Sequence, residues 1–316
     1  MSLIHRILKI LADGEHHSGV TLAMRLNVTR AAISKAVAGL PEVPVAVDRK
    51  GYRLARSFWP LDRERIGGFL AASACRPDHL TILEEVDSTN RFLLENEVLG
   101  LSVCLAERQT AGRGRRGRSW QATAYGNLLL SVSATFQDMP DPLGVLSLGA
   151  GVAVYRAVRS LGVADCALKW PNDVLWQARK LAGILIEMRG EPEAMRIVIG
   201  VGLNGTVGPK AAAAIDQPWV DLRSFLPVVD RDRVAAAVIA ELYRVMDDYR
   251  QGRGASILSE WRAHHAYAGQ RVSVAVAGEP ACVGIVQDVN AEGALVLQVA
   301  GSTRVMRSGE VSVRPL

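Results

Sequence analysis

Several features that mark special classes of protein are scarce or missing in this sequence of 316 residues. The four cysteines form no Cys-x-x-Cys pair, which argues against a disulfide framework and against a structural zinc site. No run of eighteen uncharged apolar residues occurs, so a transmembrane helix is not expected. The N-terminus lacks the cleavage pattern of a signal peptide, and we therefore expect a soluble, cytoplasmic protein. The pattern Gly-x-x-x-x-Gly-Lys-Ser/Thr is also absent, which excludes a P-loop.

The composition is that of a folded protein with an uneven distribution of charge. Apolar residues make up 49% of the chain, enough for buried cores in two or three domains. The net charge is +5, and the first sixty residues alone contain nine Lys and Arg against four Asp and Glu. This excess equals that of the whole chain, so the N-terminal segment favours a partner of negative charge.

Residues 112–120 form a stretch rich in glycine and arginine, Gly-Arg-Gly-Arg-Arg-Gly-Arg-Ser-Trp. Glycine lets the backbone approach a ligand closely, and each guanidinium group offers a planar fork of donors to phosphate or carboxylate oxygens. Apolar runs over 101–107 and 127–136 predict β-strands on both sides. The stretch therefore predicts an anion-binding loop between two strands, and a solvated basic loop without a ligand is the alternative.

The same letters satisfy the dinucleotide-binding pattern Gly-x-Gly-x-x-Gly, and Asp138 lies at about the distance of its ribose-binding acid. That site requires a helix to begin within the glycines, so that the N-terminus of the helix holds the pyrophosphate. Residues 118–126 lack the apolar periodicity of a helix. The sequence therefore disfavours a Rossmann site.

Spacing and capping residues predict three short helices near the N-terminus. Apolar residues in the segment 4–11 follow the i, i+3, i+4, i+7 spacing of one helix face. Ser18 and Thr29 are suited to be the N-caps of a second helix and of a third, which is expected to bury Ile33 and Leu40. Two helices separated by a tight turn predict a helix-turn-helix.

The exposed face of the third helix and a following hairpin are both basic. Arg30, Ser34 and Lys35 lie opposite the apolar stripe of this helix, on a face suited to the major groove of DNA. Alternating residues around Arg49 and Lys50 predict a β-hairpin, or wing, whose tip would meet phosphates. DNA binding is the favoured interpretation, and a winged helix that contacts protein is the alternative.

Five short motifs follow one another along the rest of the chain. They are Asp87-Ser88-Thr89-Asn90, Glu107-Arg108-Gln109, Lys169-Trp170-Pro171-Asn172-Asp173, the segment 180–187 and Gly200-Val201-Gly202-Leu203-Asn204. Together they closely resemble the catalytic domain of biotin protein ligases, a family whose fold is related to class II aminoacyl-tRNA synthetases. The segments His16-His17-Ser18-Gly19 and 29–35 narrow the resemblance to the bifunctional type that is also the biotin operon repressor, although the wing here is shorter than in that family.

The resemblance implies a role for each matching residue. Biotin would be bound by Ser88, Thr89, Asn90, Gln109, Arg113, Gly114, Arg115 and Lys180. ATP or the adenylate would be bound by Arg115, Trp120, Asn172, Asn204 and Trp219. The catalytic residues would be Arg113, Arg115, Lys180 and Asp173, with Asp173 also a candidate ligand of Mg²⁺. Operator DNA would be bound by Ser18, Thr29, Arg30, Ser34, Lys35, Arg49 and Lys50.

Taken without the resemblance, several of these residues have simpler interpretations. Ser88 and Thr89 are suited to helix caps, and Lys180 to an exposed strand end. Asp173 has the features of an ion-pair partner, and Trp219 those of a core residue.

The expected fold class is α+β with three domains. Residues 1–60 would form the winged helix-turn-helix, and 61–267 a mixed sheet with helices as the ligase domain. Short alternating runs separated by turns over 268–316 predict a small β-barrel, similar to the SH3-like C-terminal domain of the ligases. Segment 209–216 is expected to be a mobile lid.

The function implied by the resemblance is twofold. The protein would use ATP, biotin and Mg²⁺ to biotinylate a lysine of the biotin carboxyl carrier protein of acetyl-CoA carboxylase. It would also bind operator DNA as a ligand-dependent homodimer, away from any membrane. A lipoate-type ligase and a regulator that senses biotin without ligating it are the alternatives.

Overall fold

The computed structural model describes residues 1–39, 45–54, 58–73, 75–96, 100–191, 194–276, 281–307 and 311–315. Leu40, expected on the third helix, lies outside the described residues. Within these ranges, none of the helices is both long enough and apolar enough to cross a bilayer.

Three short helices form the N-terminal part of the chain, where the spacing predicted them. Ser18 and Thr29 cap the second and third helices, because their side-chain oxygens accept from the backbone N–H groups of Thr21 and Ala32. Asn27 takes a left-handed conformation and ends the second helix. The helices are α1 (Leu3–Leu11), α2 (Gly19–Leu26) and α3 (Arg30–Ala38).

A two-stranded hairpin packs beside these helices. Strands β1 (Val45–Asp48) and β2 (Gly51–Leu54) pair antiparallel. Asp48 shapes the turn, since its Oδ1 accepts from the backbone N–H groups of Lys50 and Gly51. The helices and the hairpin share one core, made up of Ile7, Leu8, Leu11, Leu22, Ala23, Leu26, Ile33, Tyr52 and Leu54 together with Phe58 and Tyr125.

A seven-stranded mixed sheet forms the centre of the molecule. Its strand order is β3-β4-β5-β9-β8-β7-β6; β3 and β4 run parallel, and all other neighbours are antiparallel. The strands are β3 (His79–Val86), β4 (Ser102–Gln109), β5 (Leu128–Phe136), β6 (Cys166–Lys169), β7 (Asp173–Trp176), β8 (Arg179–Glu191) and β9 (Ala194–Leu203).

Helices cover the central sheet on both faces, and the residue alternation along the strands decides which face each side chain meets. Alternate residues such as Val103 and Leu105 join the large core beneath α6 and α8, whereas Cys104 joins a small cluster beneath α5. The glycines Gly200 and Gly202 of β9 lie on the α5 face. The helices are α4 (Arg63–Ala72), α5 (Thr89–Glu95), α6 (Leu143–Ser160), α7 (Pro209–Ala214), α8 (Arg231–Arg250) and α9 (Gly254–Ala263).

Two elements differ from the sequence-based expectation. The runs 167–170 and 181–188 predict two strands joined by a turn at 176–179. That turn instead joins β8 to an additional strand, β7, which lies between β6 and β8 in the sheet. Within the segment 209–216, which is expected to be a mobile lid, residues Pro209–Ala214 form the short helix α7, with Pro209 at its first position.

A second, five-stranded antiparallel sheet follows the central one. Its strand order is β13-β12-β11-β10-β14. Trp170, which is buried, donates from its indole Nε1 to the carbonyl of Gly293 over 3.0 Å and so connects the two sheets. The strands are β10 (Arg271–Val276), β11 (Cys282–Val289), β12 (Leu295–Val299), β13 (Ser302–Met306) and β14 (Val311–Pro315).

A buried ion pair lies where the N-terminal part meets the central sheet. Arg231 Nη1 is 2.7 Å from Glu107 Oε2, and both side chains are almost completely buried. Glu107 also accepts from the backbone N–H of Leu61, and Arg231 donates to the carbonyl of Trp59. The pair therefore anchors the segment that leads from the hairpin into α4.

Candidate active site

A cleft of about 750 Å³ opens on the α5 face of the central sheet. Among its described lining residues are seven cationic side chains and only two carboxylates, Asp173 and Asp216. This imbalance favours anionic ligands. The cleft brings together all the residues that the sequence predicted for the small-molecule site: Ser88, Thr89, Asn90, Gln109, Arg113, Gly114, Arg115, Trp120, Asn172, Asp173, Lys180, Asn204 and Trp219.

The arginine loop, residues 112–120, is folded back on itself like a small hairpin. The backbone N–H of Trp120 donates to the carbonyl of Gly112 over 2.9 Å, and that of Gly114 to the carbonyl of Arg118 over 2.7 Å. At the tip, Arg116 and Gly117 both have left-handed backbone conformations. The loop thus holds its guanidinium groups at one side of the cleft. Its tip, Arg115–Gly117, is a single 3-10 turn, and residues 118–126 form no helix, as the sequence predicted.

The indole of Trp120 lies directly on the sheet because two facing strand positions are glycines. Gly183 and Gly202 are cross-strand partners on β8 and β9. A Cβ atom at Gly202 would overlap the indole ring, and one at Gly183 would lie 3.0 Å from it. Lys180 Nζ is 5.5 Å from the centre of the same ring, within reach of a cation–π interaction.

Lys180, Lys169 and Asp173 form a partly buried charge cluster beside the indole. Lys180 Nζ lies 2.8 Å from Asp173 Oδ1, and Lys169 Nζ lies 3.8 Å from Oδ2 of the same carboxylate. Burial lowers the pKa of Lys169, and Asp173 opposes this shift. Burial raises the pKa of Tyr267, a neighbouring lining residue, and Asp173 adds to that effect. The cluster concentrates positive charge where water is partly excluded.

Arg115 approaches this cluster from the arginine loop. Its Nη1 is 3.3 Å from Asn172 Oδ1, while Asn172 Nδ2 donates to the carbonyl of Ile184. Burial lowers the pKa of the Arg115 guanidinium, with Asp173 opposing the shift. Asn172 therefore links the guanidinium group to the backbone of β8.

A polar pocket lies at the other end of the cleft, where α5 begins. Ser88 is the N-cap of α5, as the simpler interpretation predicted. Gln109 Oε1 accepts from the backbone N–H of Thr89 over 2.7 Å and from its hydroxyl over 3.0 Å. Hydroxyl and amide groups are thus collected in a pocket next to Arg113.

Asn90 and Arg113 share a carboxylate. Asn90 Nδ2 donates to Glu187 Oε2 over 2.8 Å, and Arg113 Nη2 lies 3.2 Å from Glu187 Oε1. Asn90 is buried over Gly200, where a Cβ atom would overlap its side-chain oxygen. Arg113 is therefore held at the polar pocket, whereas Arg115 reaches the charge cluster.

Asn204 is bonded to the protein at both ends of its amide. Its Nδ2 donates to the carbonyls of Lys180 and Val220, and its Oδ1 accepts from Asn127 Nδ2 over 3.1 Å. It thereby fixes the backbone of Lys180. Trp219 is partly exposed at the cleft and is not a core residue.

Several residues in or directly behind the cleft were not predicted from the sequence. Tyr267, Val313 and Arg314 come from the chain's last fifty residues, and no motif signalled them. Ser131, which bonds to Thr89, is a completely buried serine in an apolar strand, and that contrast is the signal that could have found it.

The residues predicted to bind DNA lie on the surface of the N-terminal part. All of them are exposed, and Arg49 and Lys50 form the tip of the β1–β2 hairpin. Ser18 and Thr29 also serve as helix caps, so their backbone role is already explained.

The sequence of the central sheet and its cleft is that of an acyl-ligase class. Residues 82–204 match the "Biotin/lipoate A/B protein ligase family", and residues 267–314 match the "Biotin protein ligase C terminal domain". A relative that matches almost the whole chain narrows this acyl-ligase class further. The chain is 35% identical over 314 residues to the bifunctional ligase/repressor BirA of Salmonella typhimurium, covering 98% of this chain and 96% of that protein. The protein belongs to the biotin protein ligase family.

Further comparisons agree with this assignment. The chain is 37% identical over 260 residues to the biotin–[acetyl-CoA-carboxylase] ligase of Mycobacterium tuberculosis, covering 80% of this chain and 95% of that ligase. Its structure resembles the biotin protein ligase from Aquifex aeolicus in complex with biotin and ATP. That match has a TM-score of 0.64 and 26% identity, and it covers 75% of this chain and 99% of the other.

Proposed function

We propose that this protein is an ATP-dependent biotin protein ligase and a biotin-responsive repressor. The observation that carries the ligase function is the cationic cleft, which combines a polar pocket at one end with the Lys180 cluster at the other. Full-length similarity to a bifunctional ligase/repressor supports both functions.

The first chemical step joins two anions. A carboxylate oxygen of biotin attacks the α-phosphorus of ATP, the bond to the β-phosphate breaks, and pyrophosphate leaves with the electron pair. Lys180 and Arg115 supply fixed positive charge at the reacting end, where partial burial strengthens their effect, and Arg113 adds to the positive potential of the cleft from the polar pocket. The mixed anhydride biotinyl-5′-adenylate is the product.

In the second step, the adenylate acylates a lysine of the biotin carboxyl carrier protein of acetyl-CoA carboxylase. The lysine nitrogen attacks the acyl carbon, the bond to AMP breaks, and an amide forms. Asp173 lines the cleft and is the residue that we assign to receive the proton of the incoming amine. Its ion pair with Lys180 keeps its carboxylate at the reacting end.

The two ends of biotin are assigned to opposite ends of the cleft. Ser88, Thr89 and Gln109, with Gly114 of the arginine loop, surround the ring, and Asn90 supports them from the sheet. A cyclic urea has both donors and acceptors, which hydroxyl and amide groups match. The carboxylate of biotin then points to the charge cluster of Lys180, Lys169 and Asp173.

The nucleotide base is assigned to the side of the cleft with two tryptophans. Trp120 and Trp219 line it, and an aromatic face is suited to stack on a purine. Asn204 acts there by fixing the backbone of Lys180 and Val220, and Asn172 acts by orienting Arg115.

Mg²⁺ fits this site as a companion of the triphosphate. Within the described ranges there is no group of three His, Cys, Asp or Glu side chains that would hold a metal ion. Magnesium, however, usually needs only one or two carboxylates together with substrate phosphates. We assign Asp173 as its protein ligand; when bound, the ion neutralises the departing pyrophosphate.

The N-terminal residues 1–60 are assigned as a winged helix-turn-helix that binds operator DNA. The exposed cations of α3 and of the hairpin tip support this assignment. Residues 61–267 are the ligase domain, and 268–316 an SH3-like barrel. The repressor is a homodimer that the adenylate promotes, and equal sedimentation with and without biotin plus ATP would remove this part of the proposal.

The ligase function is tested by pyrophosphate release from ATP, followed by transfer of labelled biotin to a carrier domain. Release is expected with biotin and not with lipoate, and label is expected in the carrier. Release with lipoate alone would favour the lipoate-type ligase. Biotin binding without release or transfer would identify a regulator that senses biotin.

A further inference from the structure

A line of hydrogen bonds runs from the polar pocket into the central sheet, and it begins with Asn90. The Nδ2 group of Asn90 faces two groups that only accept: the Glu187 carboxylate at 2.8 Å and the carbonyl of Leu185 at 3.2 Å. The amide therefore has one orientation, with Oδ1 turned toward β5.

Ser131 on β5 comes next in this line. Its Oγ lies 2.7 Å from Asn90 Oδ1 and 2.7 Å from Thr89 Oγ1, and the side chain is completely buried. An amide oxygen cannot donate, so the single hydroxyl proton of Ser131 goes to Asn90. Ser131 consequently faces Thr89 with a lone pair.

The orientation of Thr89 follows from these neighbours. Its hydroxyl proton has two acceptors within the protein, Ser131 Oγ at 2.7 Å and Gln109 Oε1 at 3.0 Å. Gln109 Oε1 also accepts from the backbone N–H of Thr89, so it cannot exchange places with its Nε2 group. The proton of Thr89 is used inside the protein, and its oxygen offers the cleft only a lone pair.

We propose that Ser131 is a positioning residue that, through Asn90, fixes Thr89 as a hydrogen-bond acceptor and so selects a ligand with a ring N–H group. The inference rests on the proposed function and deepens it. A cyclic urea carries N–H donors beside its carbonyl, whereas the dithiolane of lipoate has none. Ser131 thus acts on the choice of ligand without touching it.

The test is a double-mutant cycle on biotin affinity, measured by calorimetry, with Ser131→Ala, Thr89→Val and the double variant. Ser131→Ala is expected to weaken biotin binding about tenfold, the size of one neutral hydrogen bond. The double variant is expected to bind no more weakly than Thr89→Val alone, because Ser131 acts through Thr89. The KM for ATP should stay at the wild-type value in all three, which a general structural defect would change.

Ser133→Ala is the matched control. Ser133 is on the same strand and equally buried, and its Oγ has no hydrogen-bond partner among the described residues. The affinity of Ser133→Ala for biotin should stay within about twofold of the wild-type affinity. Ser131→Cys, which keeps the size but donates weakly, should give a smaller loss than Ser131→Ala.

The ring N–H is tested with biotin methylated on each ring nitrogen in turn. One analogue should bind the wild type more weakly than biotin does, and Thr89→Val and Ser131→Ala should both reduce this preference. Additive losses in the cycle, or wild-type affinity in Ser131→Ala, would overturn the inference. If the wild type failed to bind biotin at all, the proposed function would be wrong instead.

Discussion

The ammonium group of Lys180 lies 2.8 Å from the carboxylate of Asp173, and the same lysine is 5.5 Å from the centre of the Trp120 ring. Lys180 thus lies next to both Asp173, which is assigned to accept a proton, and Trp120, which is assigned to stack on the nucleotide base. The backbone of Lys180 is fixed as well, since Asn204 donates to its carbonyl.

The first prediction concerns this cation. Lys180→Ala is expected to lower the rate of biotin-dependent pyrophosphate release by about 10²–10³, because the enzyme loses a fixed donor for the developing phosphate charge. Arg115→Ala should act in the same direction. Lys210→Ala, which removes an exposed lysine of α7 outside the cleft lining, serves as the control and should keep the wild-type rate. Near-normal rates in both cleft variants would refute these roles.

A second prediction tests the position of the Trp120 indole on the sheet, over Gly202. Gly202→Ala places a methyl group where the indole lies, so the ring must move. The KM for ATP is expected to rise at least several-fold, as measured by pyrophosphate release. Gly68→Ala on α4 meets no atom within 4 Å and is expected to be neutral or to stabilise the helix by about 0.5–1 kcal/mol. An unchanged KM in Gly202→Ala would separate the indole from the nucleotide.

The third prediction is a pH dependence of stability. Burial lowers the pKa of His265 from its ordinary value of 6.5 to about 4. The unfolded chain therefore takes up a proton first, and the stability that the neutral ring contributes is lost as pH falls from 6.5 toward 4. His265→Phe should lose less stability than the wild type in urea unfolding between about pH 7.5 and pH 4.5. Parallel curves for the two proteins would contradict the assigned pKa.

The buried ion pair at the junction gives a fourth prediction. Glu107→Gln leaves Arg231 buried without its counter-charge, which typically costs about 3–5 kcal/mol in the free energy of unfolding. The double variant Glu107→Gln/Arg231→Met removes both charges and should recover part of this loss. Chemical denaturation of the three proteins measures both effects, and a loss below about 1 kcal/mol in Glu107→Gln would mean that water reaches the pair.

The fifth prediction separates DNA binding from ligation. Lys35→Ala and Arg49→Ala are each expected to weaken operator binding and to make it less dependent on salt, by about one unit of slope for every phosphate that the variant no longer neutralises. Both residues are exposed on the N-terminal part, away from the cleft lining, so pyrophosphate release should be unchanged. Arg63→Ala is the matched control, because it removes an exposed arginine of α4 and should leave operator binding intact. Equal operator affinity in all three variants would favour a protein partner.

Local signals predicted much of the fold. Ser18 and Thr29 cap helices that begin at the next residue, and apolar runs indicated the strands that flank the arginine loop. Strand β7 was not predicted because it has only four residues, although the turn that follows it, at Gln177 and Ala178, was expected. Helix α7 was not predicted, although Pro209 stands at its first position, because a run of alanines shows no apolar periodicity.

The sequence predicted which residues form the candidate site, but not the hydrogen bonds that join them. Short motifs carry the residues of the cleft, so their gathering could be expected from the resemblance. The bonds between them depend on strand register: Gly202 faces Gly183, and Leu185 faces Gly200, only in this alignment of β8 and β9. A single sequence does not contain that alignment, and hence the role of Ser131 emerged only from the structure.

The hydrogen bond from Trp170 to Gly293 bears on how far this protein can be shortened. The indole belongs to the segment just before Asn172 and Asp173, and Val313 and Arg314 of the last strand close one side of the cleft. A fragment ending near residue 267 would leave a buried N–H group without its acceptor and one wall of the cleft missing. The smallest working catalyst therefore includes the second sheet.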